Sequence, residues 1–382
     1  MRIESIEYRD KAIDWTLDRS TFSDLTLLVG VSGVGKTMIL DAVWRLKMIA
    51  SGKPANGVEW TVAFSTPSGD DYLWSGEYET TLPLEGSLWL QQLGFDDDIE
   101  KQKIIRESLH RNGEIVVERD LSEIRLAGAK TPKLSSFESA LSILKEEESI
   151  LPVSEGFKRM IRSETYKEDE RYSIVSPSEF DRLWREGAPL QTIVTSEIPS
   201  RLKAALVYQH HPTEFRRIKD KFMEAFEQVE DVRFEVPATA RPHFWHEYPF
   251  LQIKEKGVKD WVWFHQISSG MVKTFTHISE MSLWPRGTVV LIDEFENSLG
   301  TNCIDLVSEE LQEATGLQFI VTSHHPYIIN SISPDRWKLV TRKGNVVSTH
   351  DVTDLHINPS SRQKALLQLI SLEQYREGIQ PA

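Results

Sequence analysis

The chain has 382 residues, 40% of them hydrophobic, enough to bury a large core as one elaborated domain or two to three lobes. Its net charge of −14 argues against a surface that coats nucleic acid everywhere, though not against a local basic patch. The single cysteine, Cys303, excludes an internal disulfide and fits a reducing cytoplasm; no apolar run approaches a membrane span, and the acid-bearing start Met1-Arg2-Ile3-Glu4-Ser5 does not read as a signal peptide.

In chain order, Leu25-Thr26-Leu27-Leu28-Val29 is a short apolar run between Asp24 and Gly30, the pattern of a buried strand. After a glycine-rich turn, Met38 to Ala50 supplies helix formers with Ile39, Val43, Leu46 and Ala50 on one face. From Val58 to Leu126 the pattern is period-two, as in Tyr72-Leu73-Trp74 and Glu114-Ile115-Val116-Val117, which predicts antiparallel strands. Charge and helix formers dominate from about Ser135 to Glu230. Within that stretch Phe215, Ile218, Phe222, Phe226 and Val229 form a helical stripe suited to packing. Prolines and aromatics from Pro237 to Pro249 mark a loop, and Phe250 to Phe264 reads as a hairpin turning at Lys256-Gly257 and leading back into the sheet.

Thr288 to Ile292 is a second buried strand, followed by a helix from about Cys303 to Glu313 and a strand over Phe319-Ile320-Val321-Thr322. Cys303 is expected to be a small buried apolar residue there. A hairpin from Trp337 to Val347 around Gly344-Asn345 and a helix from Ser361 to about Leu372 complete the chain. The expected class is α/β: a mostly parallel sheet covered on both faces, an antiparallel β subdomain and a helical insert. The expected boundaries are 1–57, 58–134, 135–249 and 250–382.

The strongest motif is Gly30-Val31-Ser32-Gly33-Val34-Gly35-Lys36-Thr37, which fits G-x-x-x-x-G-K-[ST] and lies between a strand and a helix. Glycines let backbone N–H groups of this loop, through Met38 at the helix start, wrap phosphates. Lys36 reaches the β- and γ-phosphates and the Thr37 hydroxyl binds Mg²⁺. A second motif, Val289-Val290-Leu291-Ile292-Asp293-Glu294, ends a strand in two acids at the sheet edge where nucleotide binds in such folds. Asp293 is expected to hold Mg²⁺ and Glu294 to act as general base on the attacking water.

Three further segments carry a family resemblance. Gln266-Ile267-Ser268-Ser269-Gly270-Met271 resembles the signature loop of ABC-type ATPases, Glu296-Asn297-Ser298-Leu299-Gly300 their D-loop, and Thr322-Ser323-His324-His325-Pro326 their switch-histidine loop, in the family's order. The chain thus resembles a P-loop NTPase of ABC type, in the SMC/Rad50/RecF-like branch, and is most similar to bacterial ATPases of the overcoming-lysogenization-defect and related AAA-15/AAA-21 type. Met271 departs from the usual Glu or Gln and Gly300 from the usual Asp or His, and no glutamine in the insert stands out as that of the Q-loop.

The resemblance implies ATP and Mg²⁺ as cofactors, with Lys36, Glu294 and His324 as catalytic residues. It also implies a homodimer or higher oligomer in which Ser268, Ser269 and Gly270 complete the partner's site. Tyr8 or Trp15 could stack on adenine, although core packing is the stronger expectation for both. The residues after His324 contain no acidic nuclease cluster, so an effector is expected to be a separate protein. The expected role is a cytoplasmic ATPase switch or scaffold, by family analogy in anti-phage defence. Rivals are a DNA-binding repair ATPase, with Lys158-Arg159, Arg216-Arg217, Lys219, Lys221 and Lys254 to Lys259 tracking phosphates, and a transporter's nucleotide-binding domain. The latter is disfavoured by the long insert between phosphate loop and signature loop, and no membrane association is expected. His243 and His246 beside Glu247 have a metal-compatible spacing without a clear third ligand, and His210-His211-Pro212 reads as a turn.

Overall fold

A computed structural model describes residues 1–81, 102–163, 177–196, 198–236, 248–298, 304–313, 315–355, 357 and 361–380. Cys303, Leu299, Gly300 and the His243–Glu247 group lie outside these residues. Two compact units emerge, each assembled from separate segments. One comprises Met1–Arg162, Gly287–Asp293 and Gly316–Ala382, and the other Ser163–Arg286 and Glu294–Thr315.

The strands are, in chain order, β1 (Arg2–Asp10), β2 (Trp15–Thr21), β3 (Leu25–Val29), β4 (Val58–Ser65), β5 (Asp71–Tyr78), β6 (Ile104–Arg111), β7 (Glu114–Arg119), β8 (Ile124–Leu126), β9 (Ala129–Lys130) and β10 (Ile161–Ser163). They continue as β11 (Val229–Glu235), β12 (Phe250–Glu255), β13 (Val262–Trp263), β14 (Val289–Ile292), β15 (Gln318–Thr322), β16 (Trp337–Lys343), β17 (Val346–Asp351) and β18 (Ile379–Gln380).

The first unit carries a mixed sheet in the order β10-β14-β15-β3-β16-β17-β2-β1-β4-β5-β6-β7-β8-β9, with β18 pairing on β16. Parallel pairing runs through β14-β15-β3-β16 and recurs between β17 and β2 and between β16 and β18. Every residue of β14, β15 and β3 is buried, which is why these strands read as unbroken apolar runs: both faces are covered. The helix Lys36–Ala50 packs on β14 and β15 and buries Ile39, Leu40, Val43, Leu46 and Ala50. The alternating strands from 58 onward continue this same sheet through β1 and β4. Between β6 and β7 the turn is Asn112-Gly113, both at positive φ (51° and 84°), the two-residue geometry that matches the twist of a hairpin.

An aromatic core anchors this antiparallel part. Trp60 and Trp74 lie 5.1 Å apart edge-on, and Phe157, on the helix Leu151–Lys158, meets Trp74 at 5.1 Å and Phe64 at 5.4 Å. Gly76 pairs with Trp60 across β4 and β5; a Cβ there would stand 2.4 Å from Trp60 Cζ2, so the indole occupies the space a side chain would need.

Glu107 is buried beside it. Its carboxylate accepts hydrogen bonds from Trp74 Nε1 (3.0 Å), Ser139 Oγ (2.5 Å) and the Ala140 N–H (2.8 Å), with Arg119 Nη1 3.7 Å away. Burial raises the Glu107 pKa and lowers that of Arg119, and each is the other's counter-charge. Arg119→Ala leaves that carboxylate buried without a cation and frees the Ser135 and Glu138 carbonyls that the guanidinium now caps. It is expected to cost about 3–5 kcal/mol, read as a lower denaturant midpoint for the first unit. A midpoint within error of wild type would show that the pair is dispensable.

The second unit is mainly helical, with a three-stranded sheet β11-β12-β13. Its core gathers Phe215, Ile218 and Phe222 from the helix Pro212–Ala225, Phe234 from β11, and Phe275 and Ile278 from the helix Ser269–Leu283. The expected stripe is correct through Phe222. Phe226 already leaves the helix at φ −133°, and Val229 opens β11 opposite Glu255. The hairpin of Phe250 to Phe264 forms as β12 and β13 but pairs with β11, not with the large sheet, because β11 offers it an unpaired edge. His210 ends the helix Ser200–His210 and His211 joins it to the next, each ring hydrogen-bonded to a backbone carbonyl (Trp184 and Ala188).

Candidate functional site

The phosphate-type loop follows β3. Gly30, Gly33 and Gly35 take φ values of 152°, 85° and 105°, in the region that favours glycine. Space also requires glycine at two of them: a Cβ at Gly30 would stand 2.7 Å from the Val340 carbonyl oxygen, and one at Gly35 2.9 Å from Val347 Cγ2. Val34 is fully buried and pins the loop to the core, whereas Ser32, Gly33 and Thr37 are exposed and Val31 and Met38 half-buried.

Lys36 opens the helix with its stem buried, and its ammonium donates to the carbonyls of Gly30 (2.8 Å) and Val31 (3.1 Å). The loop therefore closes around its own lysine. His324, exposed on the loop after β15, places Nδ1 3.4 Å from that ammonium.

β14 delivers Asp293 to the same edge. Its Oδ1 accepts from the hydroxyls of Thr37 (3.2 Å) and Thr322 (2.6 Å), so three strand-end segments converge on one carboxylate. Arg162, on β10, lies on its other side, with Nη2 3.9 Å from Asp293 Oδ2 and Nη1 donating to Asp41 Oδ1 at 2.5 Å. A carboxylate beside a threonine hydroxyl is a hard oxygen set suited to Mg²⁺, and the glycine cradle with a buried lysine suits a polyphosphate. No cluster of three or more His, Cys, Asp or Glu that could hold a metal occurs among the described residues.

Glu294 is exposed and holds φ 48°, unusual for a residue that is not glycine, directly after a buried strand. In the second unit, Ser268 caps the helix Ser269–Leu283 by accepting from the Met271 N–H at 3.3 Å. Ser268 and Ser269 are exposed and Gly270 is half-buried at that N-terminus. Further along, His277 is buried, its pKa pushed down to about 4 chiefly by burial and secondarily by the Lys273 charge. Glu280, 3.7 Å from its Nδ1, does not offset this, and the ring stays neutral. His277 packs 6.4 Å from Phe295, which opens the 3-10 turn Phe295–Ser298.

Tyr8 and Trp15 are both buried, 4% exposed, and pack on each other at 5.9 Å, so neither is open to adenine. Among the candidate basic residues, Lys219 is paired with Asp231 at 2.6 Å, Arg159 lies 3.9 Å from Glu155, and Lys254 donates to the Lys259 carbonyl. Sequence reasoning missed Arg162 and the C-terminal strand. β18 pairs with β16, and Gly378 before it packs so close that a Cβ would stand 3.1 Å from Val31 Cγ2 and 3.2 Å from Val34 Cγ1. The signal for this contact in the sequence is only the glycine itself.

A family model described as "AAA domain, putative AbiEii toxin, Type IV TA system" matches residues 25–330, from β3 past the switch-histidine loop. This chain belongs to that family, AAA_21. The AAA_21 match bears out the expected ABC/SMC-like ATPase class. A crystal structure of an SMC head bound to the C-winged helix domain of ScpA has the same fold: TM-score 0.52, 14% identity, covering 93% of this chain and 100% of that one. The SMC head domain from Thermotoga maritima matches at TM-score 0.43 and 16% identity, covering 92% of this chain and 99% of that one. No curated protein matches the chain. No helix among the described residues is long and apolar enough to cross a membrane.

Proposed function

We propose that this AAA_21 protein is a cytoplasmic ATPase that works as a dimeric switch, binding ATP and Mg²⁺ at the loop 30–37 and handing the nucleotide state to a separate effector protein. The observation that carries the reading is the convergence of Lys36, Thr37, Asp293, Thr322 and His324 at one sheet edge, around a loop in which Gly30 and Gly35 leave no room for side chains. The backbone from Gly30 to Met38 and the Lys36 ammonium hold the phosphates. Thr37 and Asp293 hold the metal, which when bound screens the phosphate charge. Glu294 takes the proton of the attacking water, and His324 sits at the terminal-phosphate end of Lys36. Ser268, Ser269 and Gly270, exposed at a helix start, donate to the nucleotide of a second copy, so hydrolysis removes acceptors from the dimer interface and loosens it. The family's toxin and toxin–antitoxin description supports a role in defence against phage.

Complementation tests the shared site. Ser269→Arg places a bulky cation at the signature position and leaves that subunit's own phosphate loop intact, so it is expected to bind ATP without hydrolysing it. Mixed one to one with Lys36→Ala, itself inactive, it should recover up to about a quarter of wild-type phosphate release, because half of randomly exchanged dimers then hold one sound site. Strong coupling between sites lowers that yield, so the rate is also followed against protein concentration. A chain that stays monomeric with ATP and hydrolyses it at a concentration-independent specific rate overturns the dimer.

A further inference from the structure

We propose that Arg162 reads the terminal phosphate of the bound nucleotide and so distinguishes ATP from ADP, an inference that rests on the ATP site proposed above. Arg162 lies on β10, next to β14 in the sheet, and β14 ends in Asp293. Its side chain is only 19% exposed, so its reach is limited to groups at this edge. Asp41 stands one helical turn beyond Thr37 on the same face, and Thr37, Asp41, Arg162 and Asp293 form one cluster.

The charges in that cluster are arranged asymmetrically. Asp293 spends Oδ1 on the hydroxyls of Thr37 and Thr322 and turns Oδ2 towards Arg162. At 3.9 Å that contact is electrostatic attraction and not a hydrogen bond. The short bond is to Asp41, whose side chain is 53% exposed and therefore screened by water. Arg162 is thus held to Asp293 by charge alone and tethered by a solvated carboxylate, which leaves most of its five donors to a new partner. Once a divalent cation engages Asp293 and Thr37, the pull of Asp293 on the guanidinium is cancelled. The anion then within reach is the nucleotide phosphate, and a planar guanidinium matches it with paired hydrogen bonds. ATP offers the terminal phosphate group and ADP does not, so the contact contributes to one affinity and not the other. Arg162 is also the last residue of the first unit before the chain passes to the second at Ser163.

The test compares Mg²⁺-dependent binding of a non-hydrolysable ATP analogue and of ADP, by direct titration, for wild type, Arg162→Gln, Arg162→Lys and Asp41→Asn. Arg162→Gln is expected to weaken the analogue about 10–100-fold, the range for a lost charge-assisted pair, while changing ADP less than about threefold. Arg162→Lys keeps the charge and should recover only part of the loss. Asp41→Asn removes the tether but leaves the guanidinium, and should retain the preference for the analogue. Melting without nucleotide separates reading from support, since a purely structural arginine lowers the melting point and both affinities together. Equal losses for both nucleotides, or none for either, overturn the role of Arg162 while leaving the site intact. A wild-type chain that binds neither nucleotide removes the site itself and the Arg162 proposal with it.

Discussion

Lys36→Ala is expected to weaken ATP binding at least about 100-fold, to the point where titration at micromolar protein detects none. The ammonium is buried at the foot of the loop, where it bonds the Gly30 and Val31 carbonyls and touches His324. A phosphate entering the cradle meets this cation at short range in a low-dielectric surround, and no other cation opens the helix Lys36–Ala50 beside it. A hundredfold loss corresponds to about 2.7 kcal/mol, the scale of one or two charge-assisted hydrogen bonds. Because the lysine stem is buried, Lys36→Met is the better control: it keeps the volume, removes the charge, and should melt close to wild type while failing to bind. Wild-type affinity in either variant refutes the phosphate-loop assignment.

Glu294→Gln is expected to lower the rate of ATP hydrolysis by about 10²–10⁴-fold while leaving ATP and Mg²⁺ binding in place. The separation follows from geometry. Lys36 meets His324 and the Gly30 and Val31 carbonyls, and Thr37 meets Asp293, so the groups that would hold phosphate and metal remain when Glu294 loses its charge. Its backbone is held at φ 48°, a conformation that costs about 1–3 kcal/mol and persists at places where a side chain must be aimed. Gln accepts that backbone much as Glu does, so the variant should melt like wild type and accumulate with ATP as a closed dimer, seen by light scattering. Turnover at the wild-type rate would falsify the general-base role.

What the sequence made legible was local in origin. The loop 30–37 announces itself because its glycines are demanded by φ and by the neighbouring Val340 and Val347, and β3, β14 and β15 because full burial forces unbroken apolar runs. Tertiary partners stayed hidden. The Lys256-Gly257 turn within Phe250 to Phe264 declares a hairpin but not that β11 will receive it. The i, i+3 step from Phe226 to Val229 fits a helix as well as the observed cap and strand, and only strand pairing decides. Arg162 sits on a three-residue strand with no periodicity to read, and its meaning comes from Asp41 and Asp293, which are remote in sequence.

The sheet order has a consequence for how the protein is made. β3, which launches the phosphate loop, lies between β15 and β16, and both are synthesised close to three hundred residues later. At cellular translation rates that interval is on the order of tens of seconds. Throughout it Leu25-Thr26-Leu27-Leu28-Val29 is an apolar strand with neither of its eventual neighbours, the kind of segment that pairs with another chain unless it is shielded. Contacts of such sequence separation also make folding slow, because the long loop must close before they return any stabilisation. The nascent strand is therefore most exposed to mispairing early in synthesis. A chain cut before Trp337 would not be a smaller working protein but one whose phosphate loop hangs from a half-paired strand.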